Sequence, residues 1–321
     1  MKDKSSIFYA KILLFGEYSV ITQSMALTIP YGHFNGELSF IHEDKYTDYD
    51  YAKWSNRQLN NLLEYIRKLQ KEGNLEVKLE TARFEEDIRE GLYFESTIPQ
   101  GYGIGSSGAL VAAIYKRYAN PAIHFTPSME QETLAELKRH FAQIESFYHG
   151  TSSGIDPLNS YARFPLLIKD KQNIEAVSIP RNKHFSDGAI FLIDTGSPGK
   201  TEPLVNIFME SLKSPESNSI NEQELNTITN NAIQSLIASD SSAFFQNLKV
   251  LSEYQYSHFT PMIPDAYLDL WNYGLTSDDF YLKLCGSGGG GFLLGFTPNY
   301  PKLQSIFNKM NINYIPVYKQ K

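Results

Sequence analysis

Apolar and polar positions along the chain predict strands in its early part and helices in its later part. Residues 7–15 are almost continuously apolar, with one lysine among them, and predict a buried strand. Residues 25–41 predict further strands, broken at Pro30 and Gly32, and residues 75–98 alternate as in a sheet, ending in a strand over 92–96. Helical spacing predicts helices over 56–72, 109–118, 128–148 and 152–163, with Ser128 as the N-cap of the third.

The later part of the chain continues as a mixture of both kinds of element. Strands are predicted over 174–179, 189–193, 281–284, 292–296 and 314–318, and helices over 201–213, 221–238, 240–257 and 303–310. The pattern is typical of an α+β protein. A polar, loop-like stretch near 170–188 is the best boundary, and 321 residues suffice for two domains, over 1–180 and 181–321.

The composition and charge of the chain limit the classes of partner that it is expected to bind. Hydrophobic residues make up 42% of the chain, charged residues 20%, and the net charge is -7 without a long run of Lys or Arg. A nucleic-acid partner would need a basic face, so none is expected. The single cysteine, Cys285, excludes an intrachain disulfide, and no segment has the length or the flanks of a membrane span or signal peptide. We therefore expect a cytoplasmic protein without a membrane partner.

A glycine- and serine-rich loop is the strongest candidate for binding phosphate. It lies directly before the predicted helix 109–118 and comprises Gly101, Tyr102, Gly103, Ile104, Gly105, Ser106 and Ser107. Glycines let backbone amides approach an anion, and the start of a helix adds its own amides and dipole. The two serines add hydroxyls for phosphate oxygen or Mg²⁺. The alternative is a glycine-rich turn between a strand and a helix.

Two other glycine patterns resemble nucleotide motifs and are rejected. Residues 103–108 and 286–291 both read G-x-G-x-x-G, but no acidic residue ends a strand about twenty residues after the first. Residues 194–201 nearly spell a P-loop, yet Asp194 stands where the first glycine belongs, and its carboxylate would repel phosphate. This segment stays a candidate substrate-side loop.

Three charged residues have two local interpretations each. Lys11 lies inside an apolar strand and either meets a partner or reaches solvent through its long side chain. Asp156 precedes Pro157 and is either a functional carboxylate or a helix N-cap. Glu145 is either a functional carboxylate or part of a solvated helix face. His149 is interpreted as a surface or packing histidine.

Three segments together resemble the GHMP kinase superfamily. Residues 8–20, 99–109 and 285–291 are similar, in order, to its first motif, its phosphate loop and its glycine-rich third motif. The segment Glu145-Ser146-Phe147-Tyr148-His149-Gly150-Thr151-Ser152-Ser153-Gly154-Ile155-Asp156 is most similar to the mevalonate kinase branch. The resemblance implies an N-terminal mixed α/β nucleotide-binding domain and a ferredoxin-like C-terminal α+β domain.

The resemblance also implies an activity, which is the ATP- and Mg²⁺-dependent phosphorylation of the primary hydroxyl of mevalonate. Asp156 would be the base at this hydroxyl, with Lys11 near the hydroxyl and the γ-phosphate, and Ser107 and Glu145 would hold Mg²⁺. The loop 101–107 and Glu17 are assigned to ATP, and Lys11, Tyr18, Asp156 and Thr195 to the substrate. A homodimer is a further implication of the resemblance.

The chain departs from the family pattern at several positions. Tyr18 replaces a histidine, Ala10 replaces the glycine before Lys11, and Gly108 replaces the alanine after the serines. The alternatives are a GHMP kinase for another small alcohol, such as phosphomevalonate or a sugar, or a catalytically silent ligand sensor on the same fold. A decarboxylase of mevalonate diphosphate would carry different glycine loops.

Overall fold

The computed structural model describes residues 6–42, 47–170, 172–179, 187–199, 201–213 and 220–319. These residues form nine strands and ten α-helices. The strands are β1 (Phe8–Phe15), β2 (Ala26–Phe40), β3 (Leu92–Ser96), β4 (Leu166–Ile168), β5 (Ile174–Ala176), β6 (Ala189–Asp194), β7 (Tyr281–Leu284), β8 (Phe292–Thr297) and β9 (Ile315–Lys319). The helices are α1 (Tyr49–Glu72), α2 (Thr81–Arg89), α3 (Ser106–Tyr118), α4 (Gln131–His149), α5 (Ile155–Ala162), α6 (Thr201–Ser211), α7 (Glu222–Ile237), α8 (Ser241–His258), α9 (Leu268–Ser277) and α10 (Tyr300–Met310).

Helix α1 begins earlier than the hydrophobic pattern predicts. Its buried face continues backwards from Leu59 to Ser55 and Ala52, two residues too small or polar to count as apolar signals. The helix therefore begins at Tyr49 rather than at residue 56. The Asp48 side chain accepts a hydrogen bond from the amide of Tyr51, as expected of an N-cap.

Other expectations for the first 170 residues were wrong in detail. The segment 75–98 contains the helix α2, which buries Phe84 and Ile88 on one face, before it reaches β3. Strand β2 runs through Pro30 and Gly32, because both lie between the segment that pairs with β4 and the segment that pairs with β3. Helix α4 has Glu130 as its N-cap position, so Ser128 precedes the helix. Beyond residue 170, the sequence pattern predicts no element over residues 268–277, where the structure has α9.

Strands β1 to β5 form one sheet in the order β1-β2-β4-β5, with β3 paired to β2. By contact clustering the chain divides into two compact units. The first unit comprises Met1–Lys11, Pro30–Pro99 and Gly105–Phe164, and the second comprises Ile12–Ile29, Gln100–Ile104 and Pro165–Lys321. The predicted domain boundary at 180/181 falls among residues 180–186, outside the described part of the chain, and stays a prediction.

In the first unit, helices pack on each other and on the antiparallel pair of β2 and β3. Helix α1 packs against β3, and α3 packs along α5 and α4. Helix α3 is buried on nearly all sides from Val111 to Tyr115 and is therefore the central helix of this unit. Its N-terminus carries the serines of the glycine loop.

The second unit is built around an antiparallel sheet in the order β7-β8-β6-β9. If these four strands are numbered 1 to 4 as they follow one another along the chain, their order in the sheet is 2-3-1-4. Helices lie between the first and second strands and between the third and fourth. That arrangement is the ferredoxin-like topology, so the predicted α+β class and the ferredoxin-like C-terminal part are confirmed. No helix in the described part of the chain is long and apolar enough to cross a bilayer.

Candidate active site

The first unit brings together a buried lysine and an aspartate. Lys11 Nζ lies 3.0 Å from Asp156 Oδ1, and the exposed fractions of the two side chains are 7% and 33%. The lysine does not reach solvent. The N-cap position of α5 is Gly154, and Asp156 lies within the first turn, so Asp156 is not the capping residue. The ammonium is enclosed, whereas the carboxylate keeps access to a ligand.

Gly105 places the backbone of the glycine loop directly against this ion pair. It has a φ of 75°, which favours glycine, and a Cβ on it would lie 2.9 Å from Lys11 Cγ and 3.4 Å from Asp156 Oδ2. A larger residue would therefore displace one of the two charged side chains. The end of the loop and the charged pair consequently form one continuous surface.

The N-terminus of α3 begins at the same point. Gly105 is its N-cap residue and has no side chain that could accept from the amides of the first turn. Such amides, together with the helix dipole, favour an anion. With the Lys11 ammonium beside them, the N-terminus of α3 is suited to a phosphate group.

A network of hydroxyls surrounds the buried carboxylate of Glu145. Ser107 Oγ lies 3.1 Å from Glu145 Oε1, and Ser152 Oγ donates to Glu145 Oε2 at 2.5 Å. Ser152 in turn accepts from the amide of Gly154 at 3.0 Å. Glu145 is 3% exposed and is therefore not part of a solvated helix face.

Burial raises the pKa of Glu145 to about 7, and the negative charge of Asp156 adds to the rise. The hydrogen bonds from Ser152 and Ser107 and the charge of Lys11 act in the opposite direction. The folded chain thus holds a carboxyl whose charge is costly unless a cation arrives to compensate it.

Two residues of this network were not predicted as functional. His149 Nε2 lies 3.1 Å from Ser107 Oγ, and the signal was its position four residues after Glu145 on the same helix. The Tyr148 hydroxyl is buried without a hydrogen-bond partner among the described residues. Burial, followed by the charge of Glu145, raises its pKa.

Glycines allow the helices of this cluster to approach one another. A Cβ on Gly108 would lie 2.7 Å from the carbonyl carbon of Asp156, which accounts for a glycine after the two serines. A Cβ on Gly154 would lie 2.2 Å from the carbonyl oxygen of Lys138 in α4. Both contacts hold α5, and with it Asp156, in place.

Gly154→Ala is expected to destabilise the chain more than Gly73→Ala. Both glycines have the left-handed backbone conformation, with φ of 73° and 71°, so both substitutions carry a similar backbone strain of about 1 kcal/mol. Of the two, only Gly154 has no room for a Cβ, because Gly73 has nothing within 4 Å of that position. We expect an additional loss of roughly 2 kcal/mol for Gly154→Ala in urea unfolding. Equal losses for the two variants would contradict the packing described above.

In the second unit, residues 101–104 of the glycine loop pack against the third glycine motif. The Gly101 carbonyl accepts from the amide of Gly199 at 2.9 Å. A Cβ on Gly103 would lie 2.6 Å from the carbonyl oxygen of Cys285, and one on Gly291 would lie 2.7 Å from Tyr102 Cα. Two glycine-rich segments far apart in sequence therefore touch through their backbones.

Tyr102 and Ile104 anchor this part of the loop. The Tyr102 ring stands edge-on to Phe292 with centroids 5.0 Å apart, and Ile104 is buried. Partial burial and the carboxylate of Asp194 raise the pKa of the Tyr102 hydroxyl.

Glu17 forms a buried ion pair in the second unit. Its Oε1 lies 2.6 Å from Lys283 Nζ, and the two side chains are 1% and 0% exposed. Lys283 also donates to the carbonyl of Leu284 at 2.6 Å. Like Lys11, Lys283 is a lysine within an apolar strand, so the sequence carries the same signal of a buried cation at both positions.

Tyr18 and Thr195 both contact the third glycine motif. The Tyr18 hydroxyl donates to the Ser287 carbonyl at 2.6 Å, and its ring packs against Phe208. The Thr195 hydroxyl donates to the Gly291 carbonyl at 2.7 Å. The structure therefore places both residues at that motif.

The rejected nucleotide motifs have other local structures. Residues 286–291 connect the antiparallel strands β7 and β8, whereas a dinucleotide motif joins a strand to a helix. In the segment that resembles a P-loop, the Asp194 carboxylate accepts from the amide of Gly196 at 2.7 Å. That amide is occupied by the chain itself, and Lys200 lies outside the described residues.

The donor atoms around Ser107 and Glu145 fit a magnesium ion. Mg²⁺ prefers oxygen ligands, keeps several waters and is often held by one or two side chains together with substrate phosphates. In the described part of the chain, no group of three or more His, Cys, Asp or Glu could hold a metal ion. A pair of protein oxygens next to a helix N-terminus that is suited to a phosphate group fits this mode of binding.

Comparison with known families now identifies the fold. Residues 60–161 match the family model described as "GHMP kinases N terminal domain". This part of the chain is thus similar to a GHMP kinase N-terminal domain, and the architecture as a whole is the GHMP kinase fold, as the sequence motifs predicted.

Solved structures of several small-molecule kinases share this fold. L. major mevalonate kinase in complex with R-mevalonate is 16% identical, with a TM-score of 0.61, covering 97% of this chain and 92% of that one. Streptococcus pneumoniae phosphomevalonate kinase with phosphomevalonate and AMPPNP is 15% identical, with a TM-score of 0.62 and coverages of 98% and 99%. Lactococcus lactis galactokinase with galactose is 13% identical, with a TM-score of 0.64 and coverages of 98% and 93%. No curated protein matches the chain in sequence.

Proposed function

We propose that the chain is an ATP-dependent kinase that phosphorylates the primary hydroxyl of mevalonate to give 5-phosphomevalonate and ADP. One observation carries the proposal. The Lys11–Asp156 ion pair lies against Gly105, the glycine at the N-cap position of α3. A base, a cation and an anion-binding helix N-terminus within one small cluster are the parts that phosphoryl transfer to a hydroxyl requires.

In this proposal the acceptor oxygen attacks the γ-phosphorus of ATP. The bond between that phosphorus and the β–γ bridging oxygen breaks, and ADP leaves. The hydroxyl proton passes to the Asp156 carboxylate, whose exposed fraction of 33% leaves room for an acceptor. Lys11 and the first amides of α3 stabilise the charge on the transferred phosphoryl group.

Ser107 and Glu145 would hold Mg²⁺ through the oxygens that already lie 3.1 Å apart. The ion would neutralise charge on the phosphates when bound. Glu145 suits this role because its buried carboxylate lacks a full cationic partner of its own, as its raised pKa indicates.

The candidate site residues that lie in the second unit would act mainly by holding the glycine-rich loops in their conformation. Gly101 to Ile104 would line the nucleotide phosphates as the first half of the glycine loop. For Glu17 we propose a positioning role, since its carboxylate is paired with Lys283. Tyr18 and Thr195 would contribute to substrate binding by holding the carbonyls of the third glycine motif.

An acceptor panel tests the proposed function. Purified chain with Mg-ATP is expected to release ADP on adding mevalonate, with a kcat/KM at least about tenfold above those for phosphomevalonate and galactose, because each acceptor needs its own polar contacts. A coupled ADP assay measures all three under the same conditions.

The other outcomes decide between the alternatives. A higher kcat/KM with phosphomevalonate or galactose would refute the assignment of mevalonate and retain a kinase of the same fold. Binding of ATP without turnover of any acceptor would favour a ligand sensor. The sensor is disfavoured because Lys11 pairs with Asp156 at 3.0 Å and Ser107 contacts Glu145 at 3.1 Å. The charges of Asp156 and Lys11 also act on the pKa of Glu145, so the two pairs are neighbours.

A further inference from the structure

A cavity of about 300 Å³ lies in the first unit, away from the Lys11–Asp156 pair. The residues that matter for its chemistry are Phe8, Lys116, His124, Phe125, Tyr161 and Arg163. Its volume is at the lower end of the range for small-molecule sites. No role assigned so far to this chain uses it.

The charged residues that line the cavity are all cationic. Lys116 and Arg163 are cations and His124 adds a ring nitrogen, whereas none of the described residues that line the cavity carries a carboxylate. Two cations and an imidazole without an acidic neighbour on the wall match an anion of about two charges, such as a phosphate monoester. Phe8 and Phe125 supply apolar surface beside them.

The wall that carries His124 and Phe125 is held from two sides. The amide of Ile123, one residue earlier, donates to the Tyr115 hydroxyl at 3.0 Å, and the Tyr161 hydroxyl donates to the Ile123 carbonyl at 2.9 Å. Both tyrosines come from central helices of the unit, α3 and α5. The loop is therefore fixed before any ligand binds, which lowers the entropic cost of binding.

Arg163 is likewise held in position. It is the C-cap residue of α5, with a φ of 53°, and its guanidinium carbon lies 5.7 Å from the Phe8 ring centroid and 5.3 Å from that of Tyr9. Its Nη2 donates to the carbonyl of Ile7. A guanidinium has five N–H donors in a rigid fork, so donors remain for a phosphate.

Two helices that line the cavity, α3 and α5, carry candidate catalytic residues at other positions. Helix α3 carries Ser107 in its first turn and Lys116 in its last, roughly 13 Å apart along the helix axis. Helix α5 carries Asp156 in its first turn and is capped at its other end by Arg163. The cavity is thus a site of its own, too far along α3 to be part of the phosphate site at the helix N-terminus.

We propose that this cavity binds a small phosphorylated molecule with a planar or apolar body, independently of the candidate catalytic cluster. Phenyl phosphate serves as the probe, because it combines a dianionic phosphate with a single ring. The proposal does not depend on the proposed kinase activity, since it concerns binding alone.

Isothermal titration of the full chain with phenyl phosphate, up to about 10 mM, tests the proposal. We expect saturable binding that is weakened about tenfold by Lys116→Gln and by Arg163→Asn. Asparagine is chosen at position 163 because it tolerates a positive φ. Lys53→Gln, at an exposed position of α1, is the matched control and should leave the affinity unchanged. Inorganic phosphate and phenol should each bind more weakly than phenyl phosphate.

Three results would overturn the proposal. They are the absence of saturable binding, an affinity that Lys116→Gln does not change, and an equal loss with Lys53→Gln. The second result would mean that the probe binds elsewhere, for example at the N-terminus of α3. Because Lys116 is exposed at a helix end, its replacement should not unfold the chain, and thermal unfolding of each variant checks this.

Discussion

Asp156→Asn is expected to lower kcat by about 10²–10⁴-fold while leaving the affinity for ATP within about threefold. Asparagine keeps the size of the side chain but cannot take the hydroxyl proton. The Lys11 ammonium also loses its carboxylate partner at 3.0 Å, so part of the effect arises from altered charge at the γ-phosphate position. Steady-state kinetics with mevalonate and fluorescence binding of an ATP analogue measure the two quantities separately.

Asp50→Asn is the matched control for this prediction. This substitution makes the same chemical change, from Asp to Asn, at an exposed position in the first turn of α1. It should leave kcat within about twofold, because it lies outside the cluster. A near-normal kcat in Asp156→Asn would refute the role of this carboxylate as the base and would leave the fold assignment untouched.

Glu145→Gln is expected to stabilise the metal-free chain at pH 8 and to abolish turnover that depends on Mg²⁺. The pKa of Glu145 is raised from 4.5 to about 7, mainly by burial. Each pKa unit corresponds to about 1.4 kcal/mol, so the charged carboxylate destabilises the folded chain above pH 7 by at most about 3 kcal/mol. Glutamine removes this charge, and it also removes the proposed ligand of the metal.

The pH dependence distinguishes this effect from a simple packing change. Between pH 4.5 and pH 7 the folded chain keeps a proton on Glu145 that the unfolded chain has lost, so the free energy of unfolding falls as the pH rises through this window. Below pH 4.5 both states are protonated, and the variant should gain nothing. Urea unfolding in EDTA at pH 5 and pH 8 measures the difference.

Glu86→Gln is the control for Glu145→Gln, because Glu86 is exposed in α2. Its free energy of unfolding should follow that of the unmodified chain at both pH values within about 0.5 kcal/mol. If Glu145→Gln were less stable than the unmodified chain at pH 8, the charged carboxylate would not carry a desolvation cost. The interpretation of Glu145 as a carboxylate that binds a cation would then fail.

Most elements of the fold could be predicted from local patterns, and the misses have physical reasons. Runs of apolar residues identified β1 and α3, and the apolar period identified α8, where large side chains mark the buried face. It failed over residues 75–98, because a nine-residue helix shows too few turns for its period to stand out from alternation. It also failed at the start of α1, where small residues line the interface.

The candidate site was predictable only in part, since local sequence left Glu145 and Asp156 with two interpretations each. Family resemblance selected among them, and the fold then supplied the contacts: Lys11 at 3.0 Å from Asp156 and Ser107 at 3.1 Å from Glu145. His149 escaped notice because its significance depends on a serine 42 residues earlier in the chain.

The sequence by itself determined the positions of the glycine loops, the helix that follows residues 101–107 and the presence of a lysine in an apolar strand. These features depend on backbone freedom and on the period of apolar side chains, which are local properties. Only the tertiary structure decided which charges are enclosed and which remain accessible. The cost of a buried charge depends on neighbours from distant parts of the chain, as with Lys11 and Asp156 or with Lys283 and Glu17. The cavity beside Lys116 and Arg163 also depends on tertiary structure, because residues from four separate segments of the chain form its wall.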